Sequence, residues 1–368
     1  MKLIPFQAVM PKMALITSAQ SFFGTVKHQY PEYVKSGFFS KDAQESIYLY
    51  QIDSPVGSYT GIVACTDIED FLQGRVLKHE HTLAAKEQQM LHVFLQNKAM
   101  VKPILLGYHG DQKLTKWMAD YMSSTKPLQV VHFEETNEYH KIWGVSEGSA
   151  VALIKDTFKV QVGHCFIADG HHRSSTAVAL FQNEEHPLGE EASKGILTIY
   201  IPFDQLSIYD YNRCLEVLRD ISAVELIVRL SRYCKIKPLA KVRKPKRKHE
   251  FTMIVAGQCY LLKWKKAVIK RATGMVVLDA DLLNQYLIQG ICNIQNVRED
   301  HRITYVDGVS GVPGMLSEVS KSKYRVGVFL YPVSADELQT IAVNGDTLPP
   351  KSTWFEPRIK NGMLVKEL

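Results

Sequence analysis

Four apolar residues, Cys165-Phe166-Ile167-Ala168, run into the block Asp169-Gly170-His171-His172-Arg173, and Ser174 to Gln182 then continues in Ala, Val and Leu without a breaker. The first stretch suits a short buried strand and the last a helix, and the glycine between them lets the chain turn sharply. A strand-turn-helix of this kind commits the chain to a mixed α/β architecture. It also sets a polar block at a helix start, where unpaired N–H groups and the positive end of the macrodipole attract anions. Arg173 would add a forked and permanent charge to phosphate oxygens, and Ser174 a hydroxyl. Asp169, at the carboxyl end of the strand, can hold Mg²⁺ through a phosphate or act as a base, and His171 and His172 can carry protons. A plainer reading stands beside this one: Asp169 caps the helix and the histidines make routine hydrogen bonds.

A second polar cluster, Lys78-His79-Glu80-His81-Thr82, precedes Lys86 and Glu87. No Gly or Pro interrupts Leu77 to Gln96, and the spacing predicts one helix over that range, with His79, Thr82 and Lys86 on one face. His79 and Thr82 then can meet a phosphate or a carboxylate, and Glu80 can accept a hydroxyl proton; a solvated first helical turn is the alternative. Position 83 is Leu, so the two-histidine zinc-protease pattern is broken. The chain also lacks the glycine-rich signatures of P-loop and dinucleotide-binding enzymes. Near the far end, Leu348 to Pro357 is too proline-rich for a helix and reads as a loop that shows Lys351 and Ser352 to an anion, or as a purely structural tail.

The charge balance narrows the partners. The net charge is +6, yet Lys235 to Arg271 alone holds 13 Lys/Arg against one acid, Glu250, so the rest of the chain is net acidic. Positive charge confined to one segment, without interleaved aromatics in Lys241 to Lys248, argues for a solvated loop, with contact to an anionic partner as the alternative, rather than for a uniformly basic nucleic-acid binder. No apolar run approaches the length of a membrane span. The start, Met1-Lys2-Leu3-Ile4-Pro5-Phe6, has no apolar stretch leading to a cleavage site, so the expected location is the cytoplasm. The six cysteines are widely spaced, which predicts reduced, buried thiols.

Along the chain, strand patterns at Ser46–Ile52, Gly61–Thr66, Val101–Tyr108, Gln129–Phe133, His140–Val145 and Gly195–Pro202 alternate with helical ones at Lys113–Met122 and Gly148–Phe158. Asn212–Tyr233 reads as largely helical, and Glu250–Ala256 with Cys259–Trp264 as a hairpin about Gly257-Gln258. Helices follow at Asp279–Gln289 and Ala335–Val343, with strands at Arg302–Val306 and Tyr324–Val333. The expected division is a core over 1–202 carrying the Asp169 turn, a helix-plus-hairpin insertion with the basic loop over 203–275, and a C-terminal α/β part over 276–368.

Five blocks, Lys78 to Thr82, His140-Lys141-Ile142-Trp143, Ala168 to Arg173, Tyr211-Asn212-Arg213 and Pro349 to Pro357, together resemble the family of bacterial and archaeal proteins catalogued as domain of unknown function 1015. They occur in the family's order over nearly the whole chain. One departure is the missing Pro-Tyr-Asp-Val segment that the family usually carries after its N-terminal Pro-Phe; Ala14 to Tyr30 shows nothing like it. The Asp169 turn is more distantly similar to the Gly-x-x-Arg turn of the ParB and sulfiredoxin superfamily, which includes free-serine kinases. That resemblance implies a ParB/sulfiredoxin-like core, with Gly170, His171, His172 and Arg173 on phosphate, Asp169 positioning Mg²⁺, and Glu80 or Asp169 taking a hydroxyl proton. The implied reaction moves a terminal phosphoryl group from ATP or ADP to a small hydroxylated metabolite such as free serine. Nucleotide sensing without chemistry and phosphate-ester hydrolysis are the competing implications. The expected partners are a small-molecule substrate and a nucleotide, with room for a homodimer; nucleic acid is disfavoured, and no membrane is expected.

Overall fold

The computed structural model describes residues 1–182 and 195–368 and has a mixed α/β fold. It divides into two compact units, one formed by Met1–Ser207 with Pro357–Leu368, the other by Ile208–Glu356. The hairpin and the basic segment thus fall in the same unit as the helices and strands that follow them, and the last twelve residues return to the first unit.

The first unit is built on a nine-stranded sheet. Its long central strands, Ile47–Ser54 and Gly57–Asp67, pair antiparallel across the tight Ser54–Gly57 turn, and Glu138–Val145 extends them on one side. On the other side Gly195–Pro202 pairs antiparallel with Gly57–Asp67 and parallel with Ile104–Tyr108, which pairs antiparallel with Cys165–Asp169. The strand that ends at Asp169 therefore lies in a mixed sheet, not in a run of parallel strands. Its apolar residues Cys165, Phe166 and Ile167 are buried, as a continuous hydrophobic run requires. The register slips between Ile167 and Asp169, a bulge that re-aims the strand end just before the turn.

Five longer helices flank this sheet: α1 (Ala19–Lys35), α2 (Ala84–Asn97), α3 (Gln112–Ser124), α4 (Gly148–Gln161) and α5 (His171–Gln182). Helix α1, with Pro31 inside it, has no counterpart in the sequence reading. Helix α2 begins seven residues later than its apolar spacing predicts, so His79 and Thr82 lie in an irregular segment before it and share no helical face with Lys86. The closing strip holds to this unit through Gly362 N–H to Val101 O at 2.7 Å, pairing of Lys366 and Glu367 with Met100 and Ala99, and a Lys360–Glu138 ion pair at 2.6 Å.

The second unit is a seven-stranded sheet with its own core, including Leu215, Phe251, Leu262, Trp264, Leu287 and Val328. The hairpin of Glu250–Val255 and Gln258–Trp264 forms as the alternation predicts. Asn212 does not lie in a helix: Ser207–Glu216 is a strand, paired with Ile303–Asp307 and Arg325–Phe329, and only Ala223–Ser231 is helical. The basic segment is partly tied down within this unit. Lys244 Nζ donates to Asp210 Oδ1 and Gly308 O, both at 2.7 Å, and Lys248 pairs with Glu337. All six cysteines are buried free thiols. Among the described residues no helix is long and apolar enough to cross a membrane.

Candidate active site at the start of helix α5

Gly170 makes the turn. Its φ of +109° is one that side chains rarely adopt, and a Cβ there would stand 2.8 Å from Arg173 Nη2. Gly170→Ala is expected to cost about 1–3 kcal/mol of strain and to push Arg173 out of place. Urea unfolding measures the first effect, and phosphate or ADP affinity the second.

The helix opens at once: Ser174 N–H donates to Gly170 O at 2.8 Å, so the N–H groups of His171, His172 and Arg173 precede the first helical hydrogen bond. Arg173 folds back on Asp169, with Nη2 2.9 Å from Oδ2 and 3.4 Å from Pro103 O. Two cations that the sequence reading misses complete the cluster. Lys102 Nζ stands 3.2 Å from Asp169 Oδ2, and Arg358 Nη1 donates to Oδ1 at 3.2 Å. Three cations surround one carboxylate, which leaves an excess of two positive charges in a place where Lys102 and Arg173 are mostly buried.

This geometry reassigns Asp169. Burial alone would raise its pKa, but Arg173, Lys102 and Arg358 overcome that and hold it well below the usual carboxylate range. A carboxylate so stabilised is a poor proton acceptor, so the role of base does not suit it. Nor does that of metal ligand, since both its oxygens are engaged by cations; and among the described residues no group of three or more His, Cys, Asp or Glu side chains is placed to hold a metal. The residues present do not fit a protein-held Mg²⁺. Asp169 instead fixes the positions of the three cations.

The histidines pack beside this cluster. His171 is buried, with its ring 4.5 Å, centroid to centroid, from that of buried His79 in an edge-on contact, and its Nδ1 stands 3.8 Å from Glu80 Oε2. Burial lowers the pKa of His79 well below its usual value; it also lowers that of His171, to about 4, against the opposing pull of Asp169. Both rings are neutral at pH 7. His171 Nε2 is buried without a hydrogen-bond partner among the described residues. His172 Nδ1 accepts from Leu83 N–H at 3.4 Å. Ser174 is buried, and its hydroxyl donates to His171 O at 2.8 Å, which turns it into the helix instead of toward a ligand. Thr82 is half-buried in the segment after Glu80. Lys351 belongs to the second unit, where its Nζ lies 5.2 Å from the centroid of the Tyr211 ring.

A groove of about 810 Å³ opens on the exposed side of α1 and α2, lined among others by Lys27, His28, Lys86, His92, Gln96 and His172, with no carboxylate among the described residues of its wall. Burial and the charge of Arg173 both lower the pKa of Lys27, so the groove and the cation cluster share one positive field. Neither Lys102 nor Arg358 carries a local signal: each stands beside a proline, 67 and 189 residues from Asp169, and only the tertiary fold brings them in. The nearest hint was that Arg358 directly follows the conspicuous Pro349–Pro357 block.

The model of a family described as a protein of unknown function, DUF1015, matches residues 10–281. No curated protein matches the chain. Among solved structures, one of SbnI with a C-terminal truncation from Staphylococcus aureus is similar over 81% of this chain and 85% of its own, at 13% identity and a TM-score of 0.43. A free serine kinase mutant in complex with ADP is similar over 82% and 92%, at 11% identity and a TM-score of 0.40. A conserved hypothetical protein from Pyrococcus furiosus covers 82% and 93%, at 11% identity and a TM-score of 0.39.

Proposed function

This chain belongs to the DUF1015 family, and we propose that it is a nucleotide-dependent phosphotransferase that phosphorylates a small hydroxylated metabolite, free serine being the leading acceptor. One observation carries this reading: Lys102, Arg173 and Arg358 converge on a single carboxylate at the start of α5, and the surplus positive charge sits at the N-terminal end of that helix, where its first N–H groups precede the first helical hydrogen bond. Polyphosphate supplies the negative charge such a cluster lacks.

In this reading Arg173 and the α5 N-terminus receive the terminal phosphate, and the nucleotide lies along the Lys27–Lys86 groove. The acceptor hydroxyl attacks phosphorus, the bond to the leaving nucleotide oxygen breaks, and the hydroxyl proton passes to Glu80, which is partly exposed and therefore reachable. Neutral His171 stands next to Glu80, its Nδ1 3.8 Å from Oε2. The choice of a free hydroxy amino acid rests on the similarity of the Asp169–Arg173 turn to the superfamily that includes free-serine kinases.

Purified protein incubated with ATP or ADP, Mg²⁺ and L-serine is expected to form phosphoserine with matching loss of nucleotide phosphate. Nucleotide binding without turnover on any hydroxylated amino acid would leave a sensor in place of the enzyme. Release of inorganic phosphate from phosphoserine, with no nucleotide present, would point to a hydrolase.

A further inference from the structure

Arg358, the third cation on Asp169, arrives on the closing strip of the first unit, Pro357–Leu368. The strip runs against Lys98–Lys102: Leu368 N–H donates to Lys98 O at 2.9 Å, Lys366 and Glu367 pair with Met100 and Ala99, and Gly362 N–H donates to Val101 O. Lys366–Glu367 and Ala99–Met100 form a two-stranded sheet of their own. Lys102 and Arg358 thus sit at the same end of one antiparallel ribbon, and both meet Asp169 there. That end has a second attachment. Arg358 and Lys360 flank buried Ile359, and Lys360 pairs with Glu138. The strands that carry Asp169 and Glu138 lie five places apart in the order of the large sheet, so three residues of the strip clasp its two flanks.

Glu138 is built to hold that clasp. Its Oε2 stands 2.6 Å from Lys360 Nζ, accepts from the Thr136 hydroxyl at 2.8 Å and lies 3.6 Å from His140 Nε2. His140 is fully buried, its Nδ1 shares a 2.8 Å hydrogen bond with the hydroxyl of buried Tyr50, and its ring meets that of Phe133 edge-on. Lys360 Nζ lies 4.6 Å from the centroid of the same Phe133 ring. Burial would raise the Glu138 pKa, but His140, Lys360 and Thr136 overcome it and hold the group at about 2, so it is ionised at neutral pH. The Lys360 and Glu138 side chains are only 22% and 21% exposed. An ammonium held between an aromatic face and a carboxylate that buried groups brace is a fixed point, unlike an ion pair in open solvent.

We propose that Glu138 is a positioning residue for the anion site: by gripping Lys360 it fixes the part of the strip that carries Arg358 and keeps this third cation on Asp169, with His140 and Tyr50 bracing the grip. The presence of an anion at that site rests on the phosphate reading above; the placement of Arg358 does not. The block His140 to Trp143 thereby gains a role in a site that none of its residues touches. Loss of Glu138 loosens the head of the strip without releasing it, because the pairing with Ala99 and Met100 persists.

Full-length protein labelled with ¹⁵N-arginine gives a readout that needs no ligand. The side-chain Nε–Hε resonance that Arg358→Lys removes is expected to shift and to exchange faster with water in Glu138→Gln. Lys360→Met, which keeps an apolar stem beside Phe133 and removes only the ammonium, should do the same, and it carries the test if Glu138→Gln does not fold. The resonance that Arg75→Lys removes, from a guanidinium held by Asp70, is expected to stay in place. Inorganic pyrophosphate, titrated by calorimetry, gives a second readout: Glu138→Gln should weaken binding several-fold when Arg358 is present and add nothing in Arg358→Ala, as for two residues that act through one contact. The proposal is overturned if the Arg358 resonance is unchanged in both variants, if the Arg75 resonance moves as far, or if Glu138→Gln weakens pyrophosphate binding equally with and without Arg358. Pyrophosphate that fails to bind the wild-type protein counts against the phosphate reading alone, and the Arg358 resonance then decides the role of Glu138.

Discussion

Replacing Asp169 with alanine is expected to destabilise the first unit by about 3–5 kcal/mol, the largest stability effect of any single substitution at the site. The loss arises because Lys102, Arg173 and Arg358 all lean on one carboxylate, and its removal leaves three cations in mutual repulsion with little water to screen them. Urea unfolding at pH 7 reads the difference. The pH dependence gives an independent check. The folded-state pKa of Asp169 lies below its unfolded value of 3.8, so its contribution is complete at higher pH and is lost as pH falls below about 4. The alanine variant should therefore show a flatter acid limb than the wild type. His171 adds a separate loss on the same side: its pKa of about 4 in the fold lies under the ordinary 6.5, so stability already declines as pH falls from 6.5 toward 4. Equal stability of the alanine variant and the wild type at pH 7 would mean that the cation cluster is held by packing alone.

Adding ligand should invert part of this result. A polyphosphate that binds the cations replaces the missing charge, so saturating ADP should restore more stability to Asp169→Ala than it adds to the wild type. That comparison separates a cluster arranged for an anion from one that merely stores a salt bridge.

The turn itself was legible because its signals are local. An apolar run of strand length, one glycine and an unbroken Ala-rich stretch specify strand, left-handed turn and helix without reference to the rest of the chain, and Cys165–Asp169, Gly170 and His171–Gln182 follow that order. The start of α2 was not legible for the opposite reason. Nothing between Leu77 and Ala84 breaks a helix, yet His79 is buried against His171, and this tertiary contact keeps the segment out of helical conformation. Asn212 and Arg213 read as helical from the texture around them, but the pairing of Arg213 with Tyr305 and Val328 decides their conformation. The cation cluster shows the same limit. Asp169 was found as a carboxylate at a turn, and its role changed once Lys102 and Arg358, which arrive from distant parts of the chain, stood around it.

The reassignment of Asp169 puts the weight of acid–base chemistry on Glu80, and Glu80→Gln is expected to lower kcat for phosphoryl transfer about 10²–10⁴-fold with little change in KM for nucleotide. The substitution keeps the size of the side chain and removes only its ability to take a proton. Lys102, Arg173 and Arg358, which would hold the phosphates, converge on Asp169 and are untouched by the substitution, so nucleotide affinity should survive. Its side chain is also 39% exposed, which makes a folding defect an unsuitable explanation for lost turnover. Arg173→Ala should behave in the reverse sense. It removes charge-assisted bonds to phosphate worth about 1.5–3 kcal/mol, so nucleotide affinity falls by roughly one to two orders of magnitude. Initial rates across nucleotide concentrations, with serine saturating, distinguish the two variants. A Glu80→Gln protein that retains full kcat would remove Glu80 from the mechanism, and with Asp169 held ionised among its cations, the proton would then have to leave through solvent or through neutral His171.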